Sequence, residues 1–258
     1  MSVVIGTNVP ALLAAHSLST SRGDLTQAMT RLASGKRINS AADDAGSIGV
    51  AASLLSSVKG AAMAKQNANA AIAAVQVADS ALVEVESMLQ RIRELKVQSL
   101  STGTYSATDI TNMNSEITQL ASEIDDIAAN TKFNGTEVSG MSLNPAIRQD
   151  GTTAAMALPA FLSGAVASGS TVANIDTAIN SAASARGSLG AFMNRLEAAV
   201  NNLSSIQANT AAAYSRVMDT DYAQESAEVA KGQVLQQAGA AILAQANAST
   251  SYVLALLR

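Results

Sequence analysis

The stretch "DITNMNSEITQLASEIDDIAAN" (109–130) decides the fold. Ile110, Met113, Ile117, Leu120, Ile124 and Ile127 recur at spacings of 3, 4, 3, 4 and 3, which is the seam of a coiled coil. A strand would place its apolar residues at every second position instead. The region therefore predicts a helix that buries one stripe against other helices.

The same periodicity appears on both sides of this stretch. Leu18, Leu25, Met29 and Leu32 form a stripe that ends at "SGKRINSAADD", where Gly35 and Asn39 signal a turn and Ser40 is placed to cap the next helix. Residues 43–100 are alanine-rich and free of proline, and Ile72, Val75, Leu82, Val85, Leu89 and Ile92 keep helical spacing. At 1.5 Å per residue this element would be roughly 85 Å long. The break "STGTYSATD" (101–109) precedes the opening stretch. Further on, Leu189, Phe192, Leu196, Leu203 and Ile206 hold a 3–4 pattern to Val217. After "MDTDYA" it resumes through Leu235, Ala238, Ile242, Ala246, Ser249, Val253 and Leu256.

Residues 131–172 differ in kind. They hold five glycines, two of the three prolines, and an Asn-Gly turn signal in "FNGTEV". The chain thus reads as all-α dominated: a long antiparallel helical bundle with paired N- and C-terminal helices and a small β-hairpin and loop region in the middle. The segments fall at 1–42, 43–130, 131–172, 173–217 and 218–258.

Composition agrees. The chain is 48% apolar but only 3% aromatic, with no tryptophan, so close-packed helices suit it better than a rounded core. The net charge of −4 and the lack of a basic run argue against nucleic-acid binding. The absence of cysteine excludes disulfides and thiolate metal sites, and one histidine, His16, excludes a multi-histidine site. The start lacks the features of a cleaved secretory leader. Residues 234–257 come nearest to a bilayer span, but Gln236, Gln237, Gln245, Asn247 and Ser249 interrupt them, so no membrane insertion is expected. Asp43 and Asp44 stand where a helix start favours negative charge. Asp125 and Asp126 read as a solvated face, as do Arg91, Arg93, Glu94 and Lys96, for which a partner-binding face is the sharper alternative. No catalytic constellation and no cofactor site emerge.

Several motifs in order resemble one family. "LASGKRINSAADDAGSIGVA" (32–51) and "LQRIRELKVQS" (89–99) are similar to the N-terminal motifs of bacterial flagellins. "TKFNGTEV" (131–138) resembles the turn that follows the family's third helix. "RGSLGAFMNRLEAAVNNL" (186–203) and "SRVMDTDYAQESAEVAKGQVLQQAGAAILAQAN" (215–247) resemble its C-terminal pattern. The chain departs from the family at "DDAGSIGVA", where "DDAAGLAIS" is common, and at "ASTSY", where a Gln-Pro-Gln-like stretch is common.

The resemblance implies a non-enzymatic structural subunit that polymerises with itself into the extracellular flagellar filament. It implies inner-tube contacts at Leu18, Leu25, Met29, Leu32, Leu235, Ala238, Ile242, Val253 and Leu256. It implies a surrounding coiled coil built on Ile110, Met113, Ile117, Leu120, Ile124, Ile127, Leu189, Phe192, Leu196, Leu203 and Ile206. Flagellar cap, hook-junction proteins and an export chaperone are the implied partners, with type III export as the route. Arg91, Leu95 and Glu116 match positions that contact a Toll-like receptor in the family. A hook–filament junction protein is the nearest alternative, and a signalling coiled coil or an enzyme would be rivals of other classes. The terminal "ILAQANASTSYVLALLR" (242–258) is expected to be mobile in the free subunit and helical in the filament.

Overall fold

A computed structural model of the chain describes residues 7–161, 164 and 166–256, with the backbone alone for 250–256. Five α-helices occur among the described residues: α1 (Val9–Ser34), α2 (Ala45–Ser99), α3 (Ala107–Asn130), α4 (Val172–Met218) and α5 (Tyr222–Leu256). Between α3 and α4 lie four two-residue strands: β1 (Lys132–Phe133), β2 (Thr136–Glu137), β3 (Ser142–Leu143) and β4 (Met156–Ala157). The chain divides into two compact units. One comprises residues up to Leu55 together with Ala211 onward, and the other Ser56–Thr210.

Local chemistry sets the helix limits. The Asn8 side chain accepts from the Ala11 N–H at 3.1 Å and caps α1. Gly35 ends it in the left-handed region (φ 68°) and donates its N–H to the Arg31 carbonyl. The expected cap of the next helix is corrected. Ser40 lies in a turn outside α2, where it donates to Asp43, while Asp44 accepts from the Ser47 N–H at 3.0 Å. α3 opens with a capping box: the Asp109 N–H donates to the Ser106 hydroxyl, and the Asp109 carboxylate accepts from the Ser106 N–H and hydroxyl.

In the Ser56–Thr210 unit, α3 buries its seam as its spacing requires. Ile117 and Ile124 are buried, Met113, Leu120 and Ile127 half-buried, against Val85, Leu89, Ile92 and Leu95 of α2 and Ile175, Ala178 and Ala182 of α4. A second cluster joins Val75 and Leu82 to Leu189, Phe192 and Leu196. Ala61 and Ala64 pack on Leu203 and Ile206 in a third. Alanine on α2 faces the larger residue of its partner, so the helix backbones approach closely.

The middle segment is more than loops. Its strands pair as β1–β2 and β3–β4, both antiparallel. Asn134 (φ 50°) and Gly135 (φ 80°) form the tight turn the Asn-Gly signal predicts. Val138, Leu158 and Phe161 are fully withdrawn from solvent and sit in the α2–α4 core, so the segment seals that core. The exposed Asp125 is also more than a solvated face, since its carboxylate accepts from the Gly164 N–H at 2.8 Å.

α2 also holds one window with a mean hydropathy of 1.3, long and apolar enough to cross a membrane by length and composition, which the sequence reading placed nowhere. Only 17% of that window is buried within the protein; near the start of α2, Ile48 and Val50 are exposed, whereas Val75, Leu82 and Leu89 further along are committed to the core.

Candidate assembly surfaces

In the unit formed by the chain ends, α1 and α5 pair along their lengths. On α1 the inward positions are Leu18, Ser21, Leu25, Ala28 and Leu32, spaced 3, 4, 3 and 4. On α5 they are Glu225, Val229, Gly232, Gln236, Gly239, Leu243 and Ala246, spaced 4, 3, 4, 3, 4 and 3. Leucines of α1 lie over glycines of α5. A Cβ added at Gly232 would stand 3.2 Å from Leu25, and one added at Gly239 would stand 3.2 Å from Leu18. One helix supplies knobs and the other the space to receive them. Polar contacts fix the register at both ends of the seam. The Asn8 amide donates to the Ala246 carbonyl at 3.1 Å, and Arg31 meets the largely buried Glu225 at 3.5 Å.

This seam divides the residues expected to line an inner tube. Leu18, Leu25 and Leu32 are half-buried within the chain's own α1–α5 pair. Met29, Leu235, Ala238 and Ile242 point away from it and are exposed, Ile242 at 59%. The side chains of Val253 and Leu256 lie outside the described residues, as do Leu257 and Arg258. The backbone of α5 is helical to Leu256. Large residues mark the outward stripe of α5, whereas small ones recur along the inward stripe. The glycine–glycine–alanine series at 232, 239 and 246, seven residues apart, is the signal that marks it. Val9, Leu12, Leu13 and Val234 add exposed apolar surface to the pair. His16 lies among these residues and is exposed.

The turn between α1 and α2 grips the α4–α5 connection. Arg37 donates from Nε and Nη2 to the Val217 carbonyl at 3.2 and 2.9 Å, capping the end of α4. Its N–H reaches the Met218 carbonyl, and the Thr220 N–H returns to the Gly35 carbonyl. Ile38, Ala51 and Met218 bury together beneath these bonds. Asp43 accepts from the Ser40 and Asn39 N–H groups. These bonds hold its carboxyl below the usual 3.8, the Ser40 backbone bond being the largest cause.

In the Ser56–Thr210 unit, the charged face of α2 is tied down. Arg91 donates from Nε and Nη2 to Glu116 at 3.0 and 2.9 Å, which favours its charged form. Arg93 pairs with Asp176, and Lys96 donates to the Ser168 carbonyl at 2.8 Å. Arg186 of α4 bridges Asp79 and Glu86 of α2 at 3.0 and 2.8 Å. Of the three residues matched to a receptor contact, Arg91 and Glu116 stand together at the surface. Leu95 is buried in the core, 3% exposed, and the structure does not bring it to that surface. Ile110, Leu203 and Ile206 take the packed or half-buried positions expected of core coiled-coil residues. Among the described residues no group of three or more His, Asp or Glu is arranged to hold a metal ion.

Paired terminal helices that leave apolar stripes in solvent make a predominantly helical protein with surface to bury against a partner. The bacterial flagellin N-terminal helical region matches residues 5–138, and its C-terminal helical region matches 172–257. The chain belongs to the bacterial flagellin family. It is 35% identical to the flagellar filament 33 kDa core protein of Treponema phagedenis, across 99% of this chain and 100% of that one. It is 34% identical to the flagellin of Bacillus subtilis over 98% and 99% of the two chains, and 37% identical to that of Xenorhabdus nematophila over the whole of both. The crystal structure of Bacillus cereus flagellin aligns with 58% of the chain at 28% identity and a TM-score of 0.48. These relatives are flagellins and filament core proteins, and they lend no support to the junction-protein alternative.

Proposed function

We propose that the chain polymerises with copies of itself into the flagellar filament, with the α1–α5 pair making the innermost contacts. The observation that carries this reading is the outward stripe of α5. Leu235, Ala238 and Ile242 are spaced as an interface yet are exposed among the described residues. Monomeric proteins seldom expose such contiguous apolar surface unless it binds something. Contacts of this kind repeat head to tail without closing and so generate helical polymers. The filament lies outside the cell, and the flagellar cap, hook-junction proteins and an export chaperone belong to the same reading. A receptor that touched the outer face of α2 would meet the Arg91–Glu116 pair.

Removal of residues 240–258 tests the reading. The shortened chain should keep the folded Ser56–Thr210 unit, visible by its cooperative thermal transition, and fail to elongate filament seeds under the electron microscope. Elongation at the full-length rate would overturn the proposal.

A further inference from the structure

The Ser56–Thr210 unit carries its charge unevenly along α2. Residues 76–130 and 164–190 hold ten carboxylates and four cations. All four cations, Arg91, Arg93, Lys96 and Arg186, are engaged in the bonds described above. Residues 56–75, 144–153 and 195–210 hold four cations and two carboxylates. A groove in this second region runs between the 147–154 loop and α4. Its floor is apolar, formed by Ile147, Ala154 and Leu203, and Arg148 and Arg195 stand on its rim. The nearest rim carboxylate, Asp150, is turned into its own loop, where it accepts from the Thr152 N–H at 2.9 Å. The groove is held open by backbone packing. The Gln149 carbonyl lies over Gly60, where an added Cβ would stand 2.5 Å away, and Asn67 donates to the Ala146 carbonyl.

On α3, Glu123 and Asp126 are exposed and share one face at a spacing of three. None of the ion pairs among the described residues uses Glu123, Asp126, Arg148 or Arg195. Some 20 residues of α2, about 30 Å of helix, separate the level of the groove from that of these carboxylates. Arg148 acts on the charge of Asp150 within its own loop, and the two arginines and the two carboxylates stand at different heights of one unit. They are too far apart to meet within the chain.

We propose that the Arg148–Arg195 groove receives the Glu123–Asp126 face of α3 from a second copy of this chain. The inference rests on the self-polymerisation reading and adds the residues of one contact between copies. In head-to-tail stacking each basic groove meets the acidic face of the next copy, so opposite charges adjoin at every repeat. Arginine forks suit paired carboxylates. The apolar floor accepts the methylene and methyl groups beside them. Complementary charge of this kind acts chiefly on association rate and on the rejection of wrong orientations.

The test uses full-length chains in seeded elongation. Variant A carries Arg148→Glu and Arg195→Glu; variant B carries Glu123→Lys and Asp126→Lys. Each alone should elongate its own seeds at least about tenfold more slowly than the unmodified chain at low salt. An equimolar mixture should recover most of the rate, because every A groove is then acidic and meets a basic B face, and every B groove remains basic. The difference should shrink as ionic strength rises and the Debye length falls below about 10 Å. Elongation of A and B at the unmodified rate, or a mixture no faster than its components, overturns the inference. If the unmodified chain fails to elongate at any salt, the polymerisation reading fails. Sedimentation of A with B then still decides on the contact: association of the mixture above either alone supports it, and its absence overturns it.

Discussion

Leu25 lies over Gly232 so closely that a methyl group on the glycine would stand 3.2 Å from the leucine Cβ and Cδ1. Two effects of similar size then oppose each other in Gly232→Ala. Alanine improves the helix by about 1 kcal/mol, and the leucine must give way by a few tenths of an ångström. The variant is expected to melt within a few degrees of the unmodified chain. Gly232→Val adds two methyl groups more and should lose about 1–3 kcal/mol. Hydrogen exchange in α1 reads the difference, and unchanged protection in the valine variant would contradict the seam.

The outward stripe makes the opposite prediction. Leu235→Glu with Ile242→Glu places charge at positions that are already exposed. Such substitutions leave stability within about 0.5 kcal/mol, yet filament growth from seeds should stop. Normal growth would show that this face of α5 contacts nothing in the polymer.

Gly60 sits under the Gln149 carbonyl with only 2.5 Å available to a Cβ. Backbone cannot swing aside as a leucine can. Gly60→Ala should therefore destabilise by about 1–3 kcal/mol despite its better helix propensity. Thermal melting checks the sign, and a stabilised variant would refute the packing described.

The capping box at Ser106 belongs to the Ser56–Thr210 unit, and the α1–α5 seam to the other. Ser106→Ala should lose about 1 kcal/mol, with exchange faster in the first turn of α3 and unchanged in α5. Uniform acceleration along the chain would show that the effect is not local.

Acid sensitivity follows from Asp43, whose carboxyl is held below 3.8 by the Ser40 and Asn39 N–H groups. Below 3.8 the unfolded chain binds the proton before the folded chain does. The contribution is thus fully present above about 3.8 and is lost as pH falls through the lower folded value. Melting curves from pH 7 to pH 3 should fall less steeply for Asp43→Asn than for the unmodified chain. Parallel curves would remove this carboxylate from the acid response.

Much of this was legible in the residues. The α3 seam at Ile117 and Ile124 and the Asn134–Gly135 turn are local patterns, and local patterns survive folding. The inward face of α5 is hard to read because the seam there is defined by what is missing. Gly232 and Gly239 contribute space, and a search for large apolar residues passes over space. Leu95 continues the stripe of Leu89 and Ile92 at a spacing of three, so its burial was readable, whereas the match to a surface motif pointed outward. Ser40 and Asp44 are both competent caps by type. Only the backbone path through Asn39–Asp43 decides between them. The groove at Arg148 and Arg195 joins segments about 50 residues apart, and no periodicity records that.

The bond from Asn8 to the Ala246 carbonyl joins positions 238 residues apart. Ribosomes add about 5–20 residues each second, so α1 leaves the ribosome roughly 10–50 s before its partner exists. Through that interval Leu18 and Leu25 have no glycine to cover them, and a helix of that length is marginal on its own. Each new molecule thus passes through a stage, set by the order of synthesis, in which its earliest segment is adhesive and unfolded.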